Sequence, residues 1–259
     1  MEIATAASSL KTAALTPVIN GQSLDQHSDI PPLNPQLVEC YRNLDRAIRQ
    51  LSTVHSYTAR WVRQIRLYGS VRDEEHVDLK VRHEPFSVHL NWLDGSQQAL
   101  YSEGLYDGKL IAHKSRGFAS LRPVWRLLPE SRIAMKDSRY PITQIGMLRL
   151  AERLKQVVSD IPLEAKLDVS VTRSEFQNRP AIRQYVNFGS PAVQSDYSES
   201  ELFIDEETMG LVSITNHGWT NGGEGSEFIE HYRYEQINWD ARLTDEDFDE
   251  KNEAYPFAR

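Results

Sequence analysis

From Ser56 onward, hydrophobic and polar positions alternate with a period of two over most of the chain. Tyr57, Ala59, Trp61, Ile65 and Leu67 share one face of a long strand, with Arg63 in register among them. Val77, Leu79 and Val81 mark the next strand. Phe86, Val88, Leu90 and Trp92 then alternate with Ser87, His89, Asn91 and Leu93. Asp94-Gly95 and Asp107-Gly108 supply the residue pairs that tolerate positive φ in tight hairpin turns, so 85–108 predicts a meander continuing into Leu110 to His113. Later strands are expected from Leu167, over Ile182 to Phe188, Glu201 to Asp205, Leu211 to Thr215 and Phe228 to Trp239. Two stretches break this rhythm. Leu37, Tyr41, Leu44, Ile48 and Leu51 recur at helical spacing behind a capping Asn34 and Pro35. Pro141-Ile142-Thr143 opens a second apolar face with Ile145, Leu148, Ala151 and Leu154, ending near Ser159-Asp160.

About ten strands and two helices, without a helix after each strand, exclude parallel βαβ alternation. The expected fold is mainly β (α+β). It is a curled antiparallel sheet, or unclosed β-barrel, whose concave face is plugged or lidded by the two helices, because a sheet of this size must hide its edges and inner face. Residues 1–33, rich in Ala, Ser and Thr, read as a flexible leader, and 34–259 as a single half-barrel domain.

Charge and composition narrow the function classes. A net charge of −8 argues against sequence-independent nucleic-acid binding. A single cysteine, Cys40, excludes an intramolecular disulfide framework and a cysteine-rich zinc site. No run approaches the ~18 apolar residues of a transmembrane segment, and Met1 to Ile30 lacks the pattern of an export signal. No histidine pair has HxH or HExxH spacing, and neither GxSxG, a phosphate loop nor a dinucleotide fingerprint occurs. Asp245, Asp247, Asp249 and Asn252 imitate a calcium loop, but Glu250 stands where glycine is needed and Pro256 where a bidentate Glu is needed; a solvated acidic segment is the expectation. The reading is of a non-enzymatic protein with no metal and no cofactor. Arg63, in register with apolar neighbours, either snorkels out at a barrel mouth or is tethered inside by carboxylates and carbonyls.

Several strings, in order, resemble the LolA-like (outer-membrane lipoprotein carrier-like) superfamily, and more closely a bacterial domain-of-unknown-function family within it. They are LDRAIRQLSTVHSYTARWVRQIR from Leu44, VRHEPFSVHLNW from Val81, LYSEGLYDGKLIA from Leu100, RYPITQIGMLRLAERL from Arg139 and ELFIDEETMGLVSI from Glu201. The resemblance implies an unclosed barrel around helices with a hydrophobic cavity, and a periplasmic or envelope location; the alternative, without a visible export signal, is cytoplasmic. It implies a lipid, an acyl chain or a lipidated protein as partner. The cavity wall would comprise Tyr57, Trp61, Ile65, Leu79, Val88, Leu90, Trp92, Ile145 and Leu148. The carriers place an arginine directly before the proline that begins the matching strand, as part of a lid latch. Here Glu84 precedes Pro85, leaving Arg82, with Arg63, as the latch or mouth residue. The alternative function is a protein-binding or sensor module of the envelope with a filled core.

Overall fold

The computed structural model describes residues 34–115, 124–220 and 225–258; the leader expected at 1–33 lies outside them. Helix α1 (Pro35–Leu51) starts as its sequence predicts, with the Asn34 side chain accepting from the backbone N–H groups of Gln36 and Leu37. Its buried face runs through Cys40, Leu44, Ala47 and Leu51. Tyr41, expected on the apolar stripe, is instead exposed and lies beneath the Lys155 ammonium at 4.8 Å. Burial thus selects the smaller side chains that allow close approach.

Twelve strands follow among the described residues: β1 (Ser56–Leu67), β2 (Ser70–Val71), β3 (Glu75–Arg82), β4 (Ser87–Trp92), β5 (Gln97–Ser102), β6 (Leu110–Lys114), β7 (Val124–Leu127), then, after helix α2 (Met147–Ser159), β8 (Asp168–Phe176), β9 (Arg179–Asn187), β10 (Glu199–Asp205), β11 (Leu211–Trp219) and β12 (Ser226–Asn238). They form one antiparallel sheet in the order β7-β6-β5-β4-β3-β1-β12-β11-β10-β9-β8, with β2 beside β1. The two outer strands do not pair with each other, so the sheet curls without closing, as expected. The two strands beyond the expected ten are the short β2 and β7. Each is too brief for alternation to register.

The second helix begins later than its apolar pattern suggests. Ile142–Gln144 is a 3₁₀ turn, and Gly146, at φ +110, breaks the chain direction before Met147. A Cβ there would meet the Tyr57 hydroxyl at 3.3 Å, and that hydroxyl accepts a 2.9 Å hydrogen bond from the Met147 N–H. Tyr57 therefore caps α2 from the sheet, satisfying one of the donors every helix start leaves open.

The main core lies on the concave face, where Leu44, Leu51, Met147 and Leu150 of the helices meet Tyr57, Trp61, Leu79, Val81, Val88 and Ile214 of the strands. A second cluster joins Cys40, Ile161, Val186 and Phe188 beside β9. The convex face of β4 to β6 is also covered. Leu100 and Ile111 bury against Phe248, Tyr255 and Phe257, and the His89 ring stacks on Tyr255 at 4.1 Å. The expected solvated acidic tail is thus a strap. Its carboxylates pair with cations that the outer face presents, Asp247 with Lys80 at 2.7 Å and Asp245 with Arg82 at 2.6 Å. Its aromatic residues, interleaved with the acids, carry the burial.

Candidate functional site

Cross-strand register explains where space is left on the concave face. One row crosses the sheet from Leu79 on β3 through Leu90, Ala99 and Ala112 to Trp125 on β7. Two adjacent alanines on β5 and β6 place short side chains where those strands carry Tyr101 and Leu110 two residues away. Neither helix fills the gap. It is roofed by the chain between β7 and α2, whose Pro129, Ile133, Ala134, Ile142 and Ile145 face the strands across a cavity of about 890 Å³. This lies in the range of about 300–1,000 Å³ typical of small-molecule sites.

The roof, which we call the lid, has only two 3₁₀ turns, Ala134–Asp137 and Ile142–Gln144, and is held by polar tethers. The Arg63 guanidinium donates to the Asp137 carbonyl at 3.0 Å and to the Glu75 carboxylate at 2.5 Å, between the rings of Trp61 and Trp92 at 5.6 and 5.3 Å. Lys114 donates to the Asp137 carboxylate at 2.7 Å, and the Tyr68 hydroxyl to the Lys136 carbonyl at 3.1 Å. Burial pushes the Asp137 carboxyl up, but Lys114, Lys136 and Arg63 outweigh it and hold it below the usual carboxylate range.

Farther along the lid, Arg139 and Tyr140 reach Glu230 on β12. This carboxylate is fully buried. It accepts from Arg139 Nε at 2.8 Å, Tyr140 Oη and Asn216 Nδ2 at 2.7 Å each, Tyr232 Oη at 3.2 Å and Tyr197 Oη at 3.4 Å. Burial and the Glu230 charge together push the Tyr197 phenol up to about 12, and push Tyr140 further still. A buried charge is tolerated because donors surround it.

The structure divides the sequence-derived site residues. Leu90, Trp92, Ile145 and Arg63 line the cavity. Ile65 lines an adjoining groove of about 690 Å³, bordered mainly by charged and polar residues, that shares Arg63, Trp92, Lys114 and Asp137. Leu148 borders a small crevice with Phe86 and Arg149. Tyr57, Trp61, Leu79 and Val88 are packed core. Arg63 resolves as a tether, its side chain 5% exposed. Arg82 is not at the mouth: strand alternation turns it to the convex face, where it donates to Ser87 and Asp245 and lies over Phe248 at 4.9 Å. The alanine pair, the lid and Glu230 went unread in the sequence. The alternation of Ala99 and Ala112 with bulkier residues is their one local signal. Among the described residues no His, Cys, Asp and Glu group is placed to hold a metal, and no helix is long and apolar enough to cross a membrane.

A family model described as a protein of unknown function, DUF1571, matches residues 54–257, and the chain belongs to that family. No curated protein matches it. Among solved structures it is similar to a DUF1329 family protein from Desulfovibrio piger, at 12% identity over 83% of this chain and 97% of that one (TM-score 0.41). Lipoprotein LppX from Mycobacterium tuberculosis is 8% identical over 80% and 99% (TM-score 0.45). A LolA superfamily protein from Nitrosomonas europaea is 8% identical over 80% and 97% (TM-score 0.31).

Proposed function

We propose that this member of the DUF1571 family binds the acyl chain of a lipid, or of a lipidated protein, in the cavity between β4–β7 and the lid, as a non-enzymatic carrier of the cell envelope. The observation that carries this reading is the cavity itself, about 890 Å³ and walled by Leu90, Trp92, Ala99, Leu110, Ala112 and Leu127. Withdrawing an acyl chain from water is worth ~0.8 kcal/mol per methylene. A dozen buried methylenes would therefore contribute roughly 10 kcal/mol before the costs of ordering chain and lid. Such binding needs no directional chemistry. The lid supports the reading too, because it contributes no strand to the sheet: polar tethers and the packing of Ile142 and Ile145 join it to the strands, and it can part from them without unpairing the sheet.

The test is uptake of a fluorescent fatty acid by the purified full chain, with mass spectrometry of its organic-solvent extract. Ala112→Trp, which places an indole in the cavity, is expected to abolish uptake while leaving the unfolding midpoint within a few degrees of wild type. Absence of uptake and of extractable lipid in the wild type, or unchanged uptake by Ala112→Trp, would overturn the proposal. Fractionation of tagged full-length product tests the envelope location.

A further inference from the structure

The cavity has a mainly apolar wall, with four cations among its lining residues. Arg63, Lys114, Arg132 and Lys136 line it against one carboxylate, Asp137, in a chain whose net charge is −8. Two of these cations are committed, Arg63 to Glu75 and Lys114 to Asp137. Arg132 and Lys136 are exposed on the lid and pair with no carboxylate among the described residues. Beside them stand Ile133 and Tyr68, 60% and 75% exposed, so cations and large apolar side chains alternate along one rim.

We propose that the ligand is an amphiphile with an anionic oxygen headgroup, a carboxylate or a phosphate, which Arg132 and Lys136 receive at the rim while its chain enters the cavity. This rests on the acyl-chain reading above. A charged head cannot follow its chain inward, because burial of an unpaired charge costs far more than the wall returns. It stops where the apolar wall ends. The arginine fork meets two oxygens of a carboxylate or phosphate at once, and the lysine adds a mobile point charge. The negative surface elsewhere disfavours small anions in general, so a free anion without a chain is held poorly.

Binding of dodecanoate, dodecyl phosphate, dodecan-1-ol and inorganic phosphate to the full chain, each below micelle-forming concentration, tests this by calorimetry. One or both amphiphilic anions are expected to bind about tenfold more tightly than the alcohol, the better of the two naming the headgroup, and the preference is expected to shrink at high salt. In the double variant Arg132→Gln, Lys136→Gln the preference is expected to fall to near unity. Equal binding of alcohol and both anions by the wild type, or a preference that survives in the variant, overturns the headgroup assignment while the acyl-chain reading stands. Inorganic phosphate binding as tightly as dodecyl phosphate overturns it as well, marking a free-anion site. Failure of all four to bind removes the acyl-chain reading, and with it this one.

Discussion

Glu230 is the residue whose replacement most directly tests how the lid is held. Its carboxylate sits on β12 with no exposure and joins two lid residues, Arg139 and Tyr140, to Asn216, Tyr197 and Tyr232. Glu230→Gln preserves shape and one oxygen but removes the charge, and it turns an amide N–H₂ toward a group that now donates. Hydrogen bonds to a charged group contribute about 1.5–3 kcal/mol, and that is the expected loss. Glu230→Ala removes every acceptor and leaves the half-buried Arg139 unpaired, a change of about 3–5 kcal/mol. Urea unfolding followed by tryptophan fluorescence measures both, and amide hydrogen exchange across 137–145 separates loosening of the lid from global unfolding. The expected result is faster lid exchange in Glu230→Gln beyond what its global stability explains. A loss under about 0.5 kcal/mol with unchanged lid exchange would refute the claim that this node holds the lid.

Three further outcomes are expected. Burial lowers the His89 pKa to about 4 from 6.5, so between those values the unfolded chain takes up a proton that the folded chain refuses. The stability tied to neutral His89 is complete above pH 6.5 and is lost as pH falls toward 4, by about 3 kcal/mol in total; His89→Leu is expected to flatten that part of the profile in denaturation midpoints measured from pH 7 to 4. Phe248→Ala, at a fully buried strap position, is expected to cost about 3–5 kcal/mol and to expose the chain after Asn238 to limited proteolysis; resistance equal to wild type would show that the strap does not depend on it. Tyr57→Phe leaves the Met147 N–H without its acceptor, an expected loss of about 1–3 kcal/mol in chemical denaturation, whereas a neutral result would mean the helix start finds another partner.

Local pattern carried the elements a long way. Asn34-Pro35 marks the start of α1, and period-two runs such as Phe86 to Trp92 or Leu79 to Val81 place the concave core correctly, because burial on one face of a strand can be met only by alternating side chains. Where both faces are buried, the same pattern misleads. His89 and Ser87 fall on the polar face of the alternating pattern, yet they are buried, with the His89 ring stacked on Tyr255 of the strap. Nothing near Ser87 announces a segment more than 150 residues away. Arg82 was displaced for the same reason: its cation called for a partner, and the partner, Asp245, comes from the far end of the chain.

The sequence by itself determined the class of fold: a many-stranded antiparallel sheet and two amphipathic helices follow from periods of two and of 3.6, which are properties of single segments. The helix break at Gly146 and the meeting of Ala99 with Ala112 are properties of pairs of segments. So are the cavity beneath the lid and the Glu230 node. Only tertiary structure decided them, because a wall, a roof and a buried charge are each defined by what another part of the chain brings against them.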